Sequence, residues 1–147
     1  MINANELRIG NWVMVTLAVM DDISDEKSFH YRQVGVNDFY KTELLDPIPI
    51  SPDILLSAGF KYLKEEGVSS FEEFHNPDED THCWSFNVKS TDLIDSHEIC
   101  LVKWGEEEYF TFQLGRGTYR KKIKYLHDLQ NGMFFLTGDE LTININQ

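Results

Sequence analysis

The sequence predicts one α+β domain, built mainly from antiparallel strands with one short and one longer helix. A chain of 147 residues usually folds as a single domain. Ten Phe, six Tyr and three Trp favour sheets over a helical bundle. Short segments of alternating polarity recur along the chain, and only two segments carry helix signals. We therefore treat 1–147 as one domain, with an N-terminal subdomain 1–46 and a body 47–147 as the alternative division.

The first 45 residues are predicted to form three short strands in a small curled sheet or partial barrel. Segment 7–15 is apolar at 7, 9, 13 and 15 and is interrupted by a glycine. Segment 29–36 forms the second strand, and 39–45 forms the third after a turn at 37–38.

A short capped helix is predicted over 52–58. Ser51 suits the N-cap, Pro52 suits the first helical position, and Asp53 complements the helix dipole. Gly59 suits the left-handed position that follows a helix. The prolines from 47 to 52 make a rigid, extended approach, which we interpret as punctuation of the fold rather than as a recognition motif.

An antiparallel meander is predicted next, with strands near 71–75, 83–89, 98–104 and 108–114. One face carries aromatic and apolar side chains at His82, Trp84, Phe86 and Val88, and another carries Phe110, Phe112 and Leu114. A longer C-terminal helix over 123–137, ending at Gly138, is predicted to pack across this sheet. Its buried stripe consists of Leu126, Leu129, Met133 and Leu136.

Two expectations concern the surroundings of the longer helix. His127, Asp128, Asn131 and Phe135 lie on the side opposite its apolar stripe. We expect the N-terminal sheet to cover both Phe134 and Phe135. A final strand over 141–145 is predicted to join a sheet edge.

Charge is segregated along this acidic chain, whose formal net charge is -12. Five of its thirteen basic residues lie within nine positions: Arg116, Arg120, Lys121, Lys122 and Lys124. The net charge opposes casual binding to nucleic acid or anionic membranes, but a local basic surface is a candidate docking site. Lysines just before a helix oppose its dipole, so the protein's own carboxylates or an anionic partner must neutralise them. We favour the carboxylates.

Metal binding is the first chemistry to weigh, because His82-Cys83 and His97-x-x-Cys100 bring two His and two Cys into one region. Neighbouring side chains on a strand point to opposite faces, so His82 and Cys83 cannot both reach one ion without a bulge. The spacing is also not a zinc pattern. We expect no metal and no cofactor, with Cys83 and Cys100 as reduced core thiols.

Catalytic motifs are absent from the sequence. It contains no nucleophile elbow, no catalytic cysteine signature and no His-Glu-x-x-His. The segment 115–118, Gly-Arg-Gly-Thr, lacks the lysine-serine signature of a phosphate loop, and we predict a tight turn there. We therefore expect no catalytic residues, although a site assembled only in three dimensions would escape this reasoning.

Three blocks of the sequence resemble a family. They are Leu-Arg-Ile-Gly-Asn-Trp-Val at 7–13, the segments 47–50 and 55–60, and 124–131 with 136–141. The family comprises uncharacterised small proteins of gut Bacteroidota genomes and their prophages or mobile elements, in which these blocks occur in this order. Its last block has the form Tyr-Val-His-Gln-Leu-Gln-Asn and then Leu-Thr-Gly-x-Glu-Leu. This chain departs from it at Leu126, Asp128 and Gly132-Met133. The resemblance implies a bacterial or phage intracellular protein and implies no activity.

These observations lead to a hypothesis about function. No segment approaches the roughly 20 apolar residues of a membrane span, and the N-terminus shows no signal core, so we expect a cytoplasmic protein without a membrane partner. We expect a non-catalytic interaction protein that binds a protein partner through Arg116, Arg120, Lys121, Lys124 and Phe135. The alternatives are a nucleic-acid module, with Tyr119, Tyr125 or Phe135 as stacking surfaces, and an acidic mimic of nucleic acid. An enzyme is less favoured, and the oligomeric state stays open.

Overall fold

The computed structural model describes residues 2–17, 28–36, 38, 42–63, 81–88, 98–114 and 117–145. These residues form two antiparallel sheets, one of three strands and one of five, with one short helix and one long helix. The predicted α+β class is confirmed. Neither helix within the described ranges has the length and apolarity needed to cross a membrane.

The N-terminal sheet is open and has the order β2-β1-β3. Its strands are β1 (Trp12–Leu17), β2 (Ser28–Gln33) and β3 (Leu45–Asp46). The first predicted strand begins too early, because the chain turns at Gly10, where φ is 90°, and β1 starts only at Trp12. Of the third predicted strand, 39–45, residues 39–41 lie outside the described residues, and the described remainder is mostly not a strand. Thr42–Leu44 forms a 3-10 turn, and only Leu45–Asp46 pairs with β1.

The second sheet is a meander in which five strands follow one another in sequence order. They are β4 (Lys61–Tyr62), β5 (Thr81–Asn87), β6 (Glu98–Trp104), β7 (Phe110–Leu114) and β8 (Gly117–Ile123). The predicted strands over 83–89, 98–104 and 108–114 are confirmed to within a few residues. The strand predicted near 71–75 lies outside the described residues.

Strand β8 differs most from the sequence-based prediction. We expected a tight turn at 115–118 that leads into the helix, but Gly117 and Thr118 already belong to a strand that pairs with β7. The basic cluster therefore lies largely on an edge strand. Lysines are typical of such edges, because their charge discourages pairing with other chains. The helix begins only at Leu126.

Both helices have the predicted caps. In α1 (Pro52–Ser57), Ser51 Oγ accepts a hydrogen bond from the Ile54 amide at 3.3 Å. In α2 (Leu126–Thr137), the left-handed Gly138 has a φ of 77° and its amide donates to the Phe134 carbonyl at 2.8 Å. The predicted final strand is wrong, because 141–145 pairs with no strand. Leu141 and Ile143 are nevertheless buried in the core.

The main core lies between α2 and one face of the five-stranded sheet. The predicted stripe of α2 is buried there against Ile99, Leu101, Phe112 and Ile123. Trp12 and Met14 of the N-terminal sheet pack against the same core. The helix lies very close to β7 at Gly132, since a Cβ atom at that position would be 2.5 Å from Cε2 of Phe112.

The side of α2 that faces away from the main core is only partly covered. His127, expected among the polar positions, is 1% exposed. Conversely, Phe134 and Phe135 are 39% and 61% exposed, so the expectation that both are covered is wrong. The N-terminal segment contacts the earlier part of the helix, where the Asn131 side chain donates to the Glu6 carbonyl. At Phe134 it supplies the Arg8 guanidinium, 4.2 Å from the ring centre.

Candidate binding groove

An open groove of about 780 Å³ crosses one end of the five-stranded sheet. We call it the aromatic groove, after the rings that line it. Its lining comes from the segment before α1, from four strands and from the residues between β8 and α2. The lining residues are Pro49, Ile50, Pro52, Tyr62, His82, Trp84, Lys103, Glu108, Phe110, Lys124 and Tyr125. The volume falls in the range of ordinary ligand sites.

The strand register places these side chains on one face. Tyr62 is opposite Trp84, which is opposite Leu101, which is opposite Phe112. The two aromatic faces predicted separately for β5 and β7 are thus one face of one sheet. In the next row His82 is opposite Lys103. Because α2 covers only part of this face, the aromatic residues at its end line the groove.

Three rings are packed together at the β4 end of the groove. The Tyr62 ring centre lies 4.8 Å from Trp84 in a tilted arrangement and 5.9 Å from His82 in a stacked one. Tyr62 Oη and His82 Nδ1 share a hydrogen bond of 2.6 Å. Trp84 is 7% exposed, so it is the floor of this cluster, whereas Tyr62 is 38% exposed. These contacts fix the rings in place before any ligand arrives.

The proline segment forms one wall of the groove. Pro49 makes an isolated β-bridge with Tyr125, and the Leu126 amide donates to the Ile48 carbonyl at 2.8 Å. These two contacts hold the segment against the start of α2. The prolines do punctuate the chain as predicted. The sequence did not reveal that these prolines also lie beside aromatic rings from distant strands.

Two lysines of the groove differ in their surroundings. Lys124 Nζ lies 3.0 Å from Glu108 Oε2, and this hydrogen bond holds the pKa of Glu108 below its usual value. Lys103 is half-buried in the groove and makes no hydrogen bond or ion pair with any residue that the structure describes. Its charge acts on Glu108 only at longer range. The groove therefore contains one paired and one unpaired cation.

Three of the predicted partner-binding residues, Lys121, Lys124 and Phe135, have described side chains, and these lie in different surroundings. Arg116 and the side chain of Arg120 lie outside the described part of the structure. Lys121 Nζ is 4.0 Å from Asp128 Oδ1, and Lys124 lines the aromatic groove. The predicted internal neutralisation thus has a carboxylate partner for each of these two lysines. Phe135 lies seven positions after Asp128 on α2, about 10 Å along the helix axis.

Lys122 is the remaining lysine of the cluster. Its ammonium lies 4.5 Å from the centre of the Tyr109 ring. Since neighbouring side chains on a strand point to opposite faces, it is turned away from Lys121. The three described lysines of the basic cluster therefore lie in three separate surroundings.

His82 is separated from the two cysteines that were considered with it as metal ligands. His82 lines the groove, whereas Cys83 is buried on the opposite face of β5. Cys83 and Cys100 are free thiols, and a hydrogen bond between them together with burial raises the pKa of Cys83. His97 lies outside the described residues. Within the described ranges, no three His, Cys, Asp or Glu side chains are grouped as metal ligands.

His127 is a buried polar group that the sequence analysis placed at the surface. Neither ring nitrogen hydrogen-bonds to a described residue. Nε2 lies 3.7 Å from Asp128 Oδ1 and 3.9 Å from Glu6 Oε2. Burial lowers the pKa of His127, although the two carboxylates oppose this effect. The position was missed because Glu6 comes from a segment some 120 residues earlier.

Comparisons of the chain with known protein families, curated proteins and solved structures returned no match.

Proposed function

We propose that this chain is a non-catalytic interaction protein that holds a segment of a protein partner in the aromatic groove. One observation carries the proposal: aromatic and proline side chains from five parts of the chain converge on an open surface beside the unpaired Lys103. Protein interfaces are enriched in aromatic residues, and their apolar centres are commonly rimmed by polar groups. The groove combines both features.

The charged groups of the groove favour binding over catalysis. A general acid or base works best with a pKa near the operating pH. The pKa of Glu108 is instead lowered by its hydrogen bond to Lys124. His82 shares its Nδ1 with Tyr62. Among the described lining residues, this leaves Lys103 as the charged group without a hydrogen-bonded or ion-paired partner, which suits a binding role.

The nucleic-acid alternative has less support. Binding a phosphate backbone requires several cations along one track. Lys121 and Lys124 instead have carboxylate partners, and Lys122 lies over a tyrosine ring. The resemblance to Bacteroidota and prophage proteins supports a bacterial, cytoplasmic setting, with the gene carried by a mobile element. We include that setting in the proposal.

Site-specific photocrosslinking tests where the partner binds. A photoreactive phenylalanine analogue replaces Tyr125 in the groove or Phe135 on α2, and the protein is irradiated in a bacterial host. We expect a discrete crosslinked protein from position 125. This crosslink should disappear in Ile50→Lys, because the substitution places a charge in the apolar wall of the groove. Leu56→Lys, at an exposed position outside the lining, is the matched control and should leave the crosslink unchanged. Crosslinking from position 135 alone would show that the groove is not the site.

A further inference from the structure

We propose that the ligand of the aromatic groove is an extended acidic peptide that contains proline or aromatic residues and places one carboxylate against Lys103. This inference rests on the proposed function and adds the chemistry of the partner segment. It draws on the length of the groove, the nature of its walls and its charge.

The length of the groove suits an extended chain. Its lining runs from Tyr62 on β4 to Lys124 just after β8, and these strands are the two edges of the five-stranded sheet. With about 4.8 Å between neighbouring strands, the edges are about 19 Å apart. An extended peptide of about six residues covers that distance at about 3.3 Å per residue. The groove is open along this path, so the peptide can continue at both ends.

The walls suit proline and aromatic side chains. Tyr125 and Tyr62 present partly exposed rings near the two ends, and Trp84 and Phe110 lie between them. Pro49 and Ile50 form a rigid apolar side. Aromatic-lined grooves commonly bind proline-rich segments, because such segments are already extended and lose little conformational entropy on binding. A flexible polar peptide gains much less from these surfaces.

The charge of the groove requires an acidic residue in the peptide. Lys103 sits half-buried among the rings and lacks a hydrogen-bonded or ion-paired partner within the described structure. Lys124 already has Glu108 at 3.0 Å. A peptide that covers the groove would remove water from Lys103, so a peptide without a carboxylate leaves this ammonium desolvated and unpaired. A carboxylate of the peptide beside Lys103 would give this ammonium an ion-pair partner.

A peptide satisfies these features better than a nucleic acid. One unpaired lysine matches one carboxylate, whereas successive phosphates would need several unpaired cations along the same path. Glu108 at the rim would repel a phosphate backbone. The net charge of -12 adds a general repulsion that a short peptide with one or two carboxylates tolerates.

A charge-reversal selection tests the proposal. A library of random octapeptides is selected on the wild-type protein, on Lys103→Glu and on Lys61→Glu. Lys61 precedes Tyr62 and is turned to the other face of β4, so it is a control of equal charge change outside the groove. We expect wild type and Lys61→Glu to enrich Asp or Glu beside Pro and aromatic residues. Lys103→Glu should enrich Lys or Arg beside the same apolar residues.

Calorimetry with the selected peptides tests the charge inference and the proposed function separately. An enriched acidic peptide should bind Lys103→Glu at least on the order of tenfold more weakly than wild type, and its Glu→Gln form should lose most of this difference. Peptides that lose affinity for Ile50→Lys but show no acidic preference would overturn the charge inference and leave the groove as a binding site. Peptides that bind Ile50→Lys as well as wild type would overturn the proposed function itself. Preferential binding of an oligothymidine that also weakens in Lys103→Glu would assign the groove to nucleic acid.

Discussion

Arg8 and Asn131, 123 positions apart in the sequence, are joined by a hydrogen bond of 2.7 Å from Arg8 Nε to Asn131 Oδ1. The same oxygen accepts from Asn11 Nδ2 at 3.0 Å, and Asn131 Nδ2 donates to the Glu6 carbonyl at 2.7 Å. Next to it, Gln130 Oε1 accepts from the Trp12 amide at 2.8 Å. Two segments that are far apart in the sequence, 7–13 and 124–131, therefore meet in one hydrogen-bond network. In this chain that network fastens the N-terminal segment to α2.

Removing the Asn131 side chain should loosen this attachment. We expect Asn131→Ala to lower the free energy of unfolding by about 2 kcal/mol, because two part-buried hydrogen bonds and one exposed hydrogen bond are lost. Asn131→Asp keeps the acceptor for Arg8 and loses only the donor to Glu6, so its loss should be smaller. Urea denaturation measures both. Asn144→Ala, at an exposed position, is the control, and an equal loss there would contradict the role of Asn131.

Replacing Gly132 should destabilise the protein even though alanine is the better helix former. The added methyl would meet the ring of Phe112, which is fully buried. We expect Gly132→Ala to cost about 1–3 kcal/mol, as overpacking usually does. Phe112→Leu removes ring atoms at the contact, so the double variant should be more stable than the sum of the two single changes predicts. Additive losses in thermal or urea unfolding would contradict this close approach.

Stability should depend on His127 in mildly acidic solution. Burial lowers its pKa in the folded protein, whereas the unfolded chain has the ordinary value near 6.5. The unfolded state therefore binds the proton more readily, and the free energy of unfolding should fall as the pH drops from 7 towards 5. Glu6 and Asp128 act against this effect, while Lys121 adds to it.

Urea denaturation at several pH values measures the free energy of unfolding of wild type and of His127→Gln. The variant should lose most of the pH dependence in this interval, even if it is less stable throughout. An unchanged slope would show that other groups cause it. Lys121→Gln removes one of the charges that disfavour protonation, so the pKa of His127 in the folded protein should move towards its unfolded value and the fall in stability should be smaller.

Local signals in the sequence were sufficient for the helices but not for the groove. Ser51, Gly59 and Gly138 mark helix ends by their own chemistry, and the structure confirms all three. Strand β8 was missed because its lysines resemble a charged turn, and lysines on an edge strand follow from its position in the sheet. The groove depends on the register that sets Tyr62 opposite Trp84 and on the wall at Pro49. Neither relationship can be predicted from local periodicity.

The most direct test of the central claim, that the aromatic groove is the binding surface, is a heteronuclear NMR titration with a peptide selected on the wild-type protein. We predict saturable shifts of the Trp84 indole signal and of the amides of Lys103, Phe110 and Tyr125, with little change at Phe135. Shifts centred on Phe135 and Lys121, with the Trp84 indole unmoved, would contradict the claim.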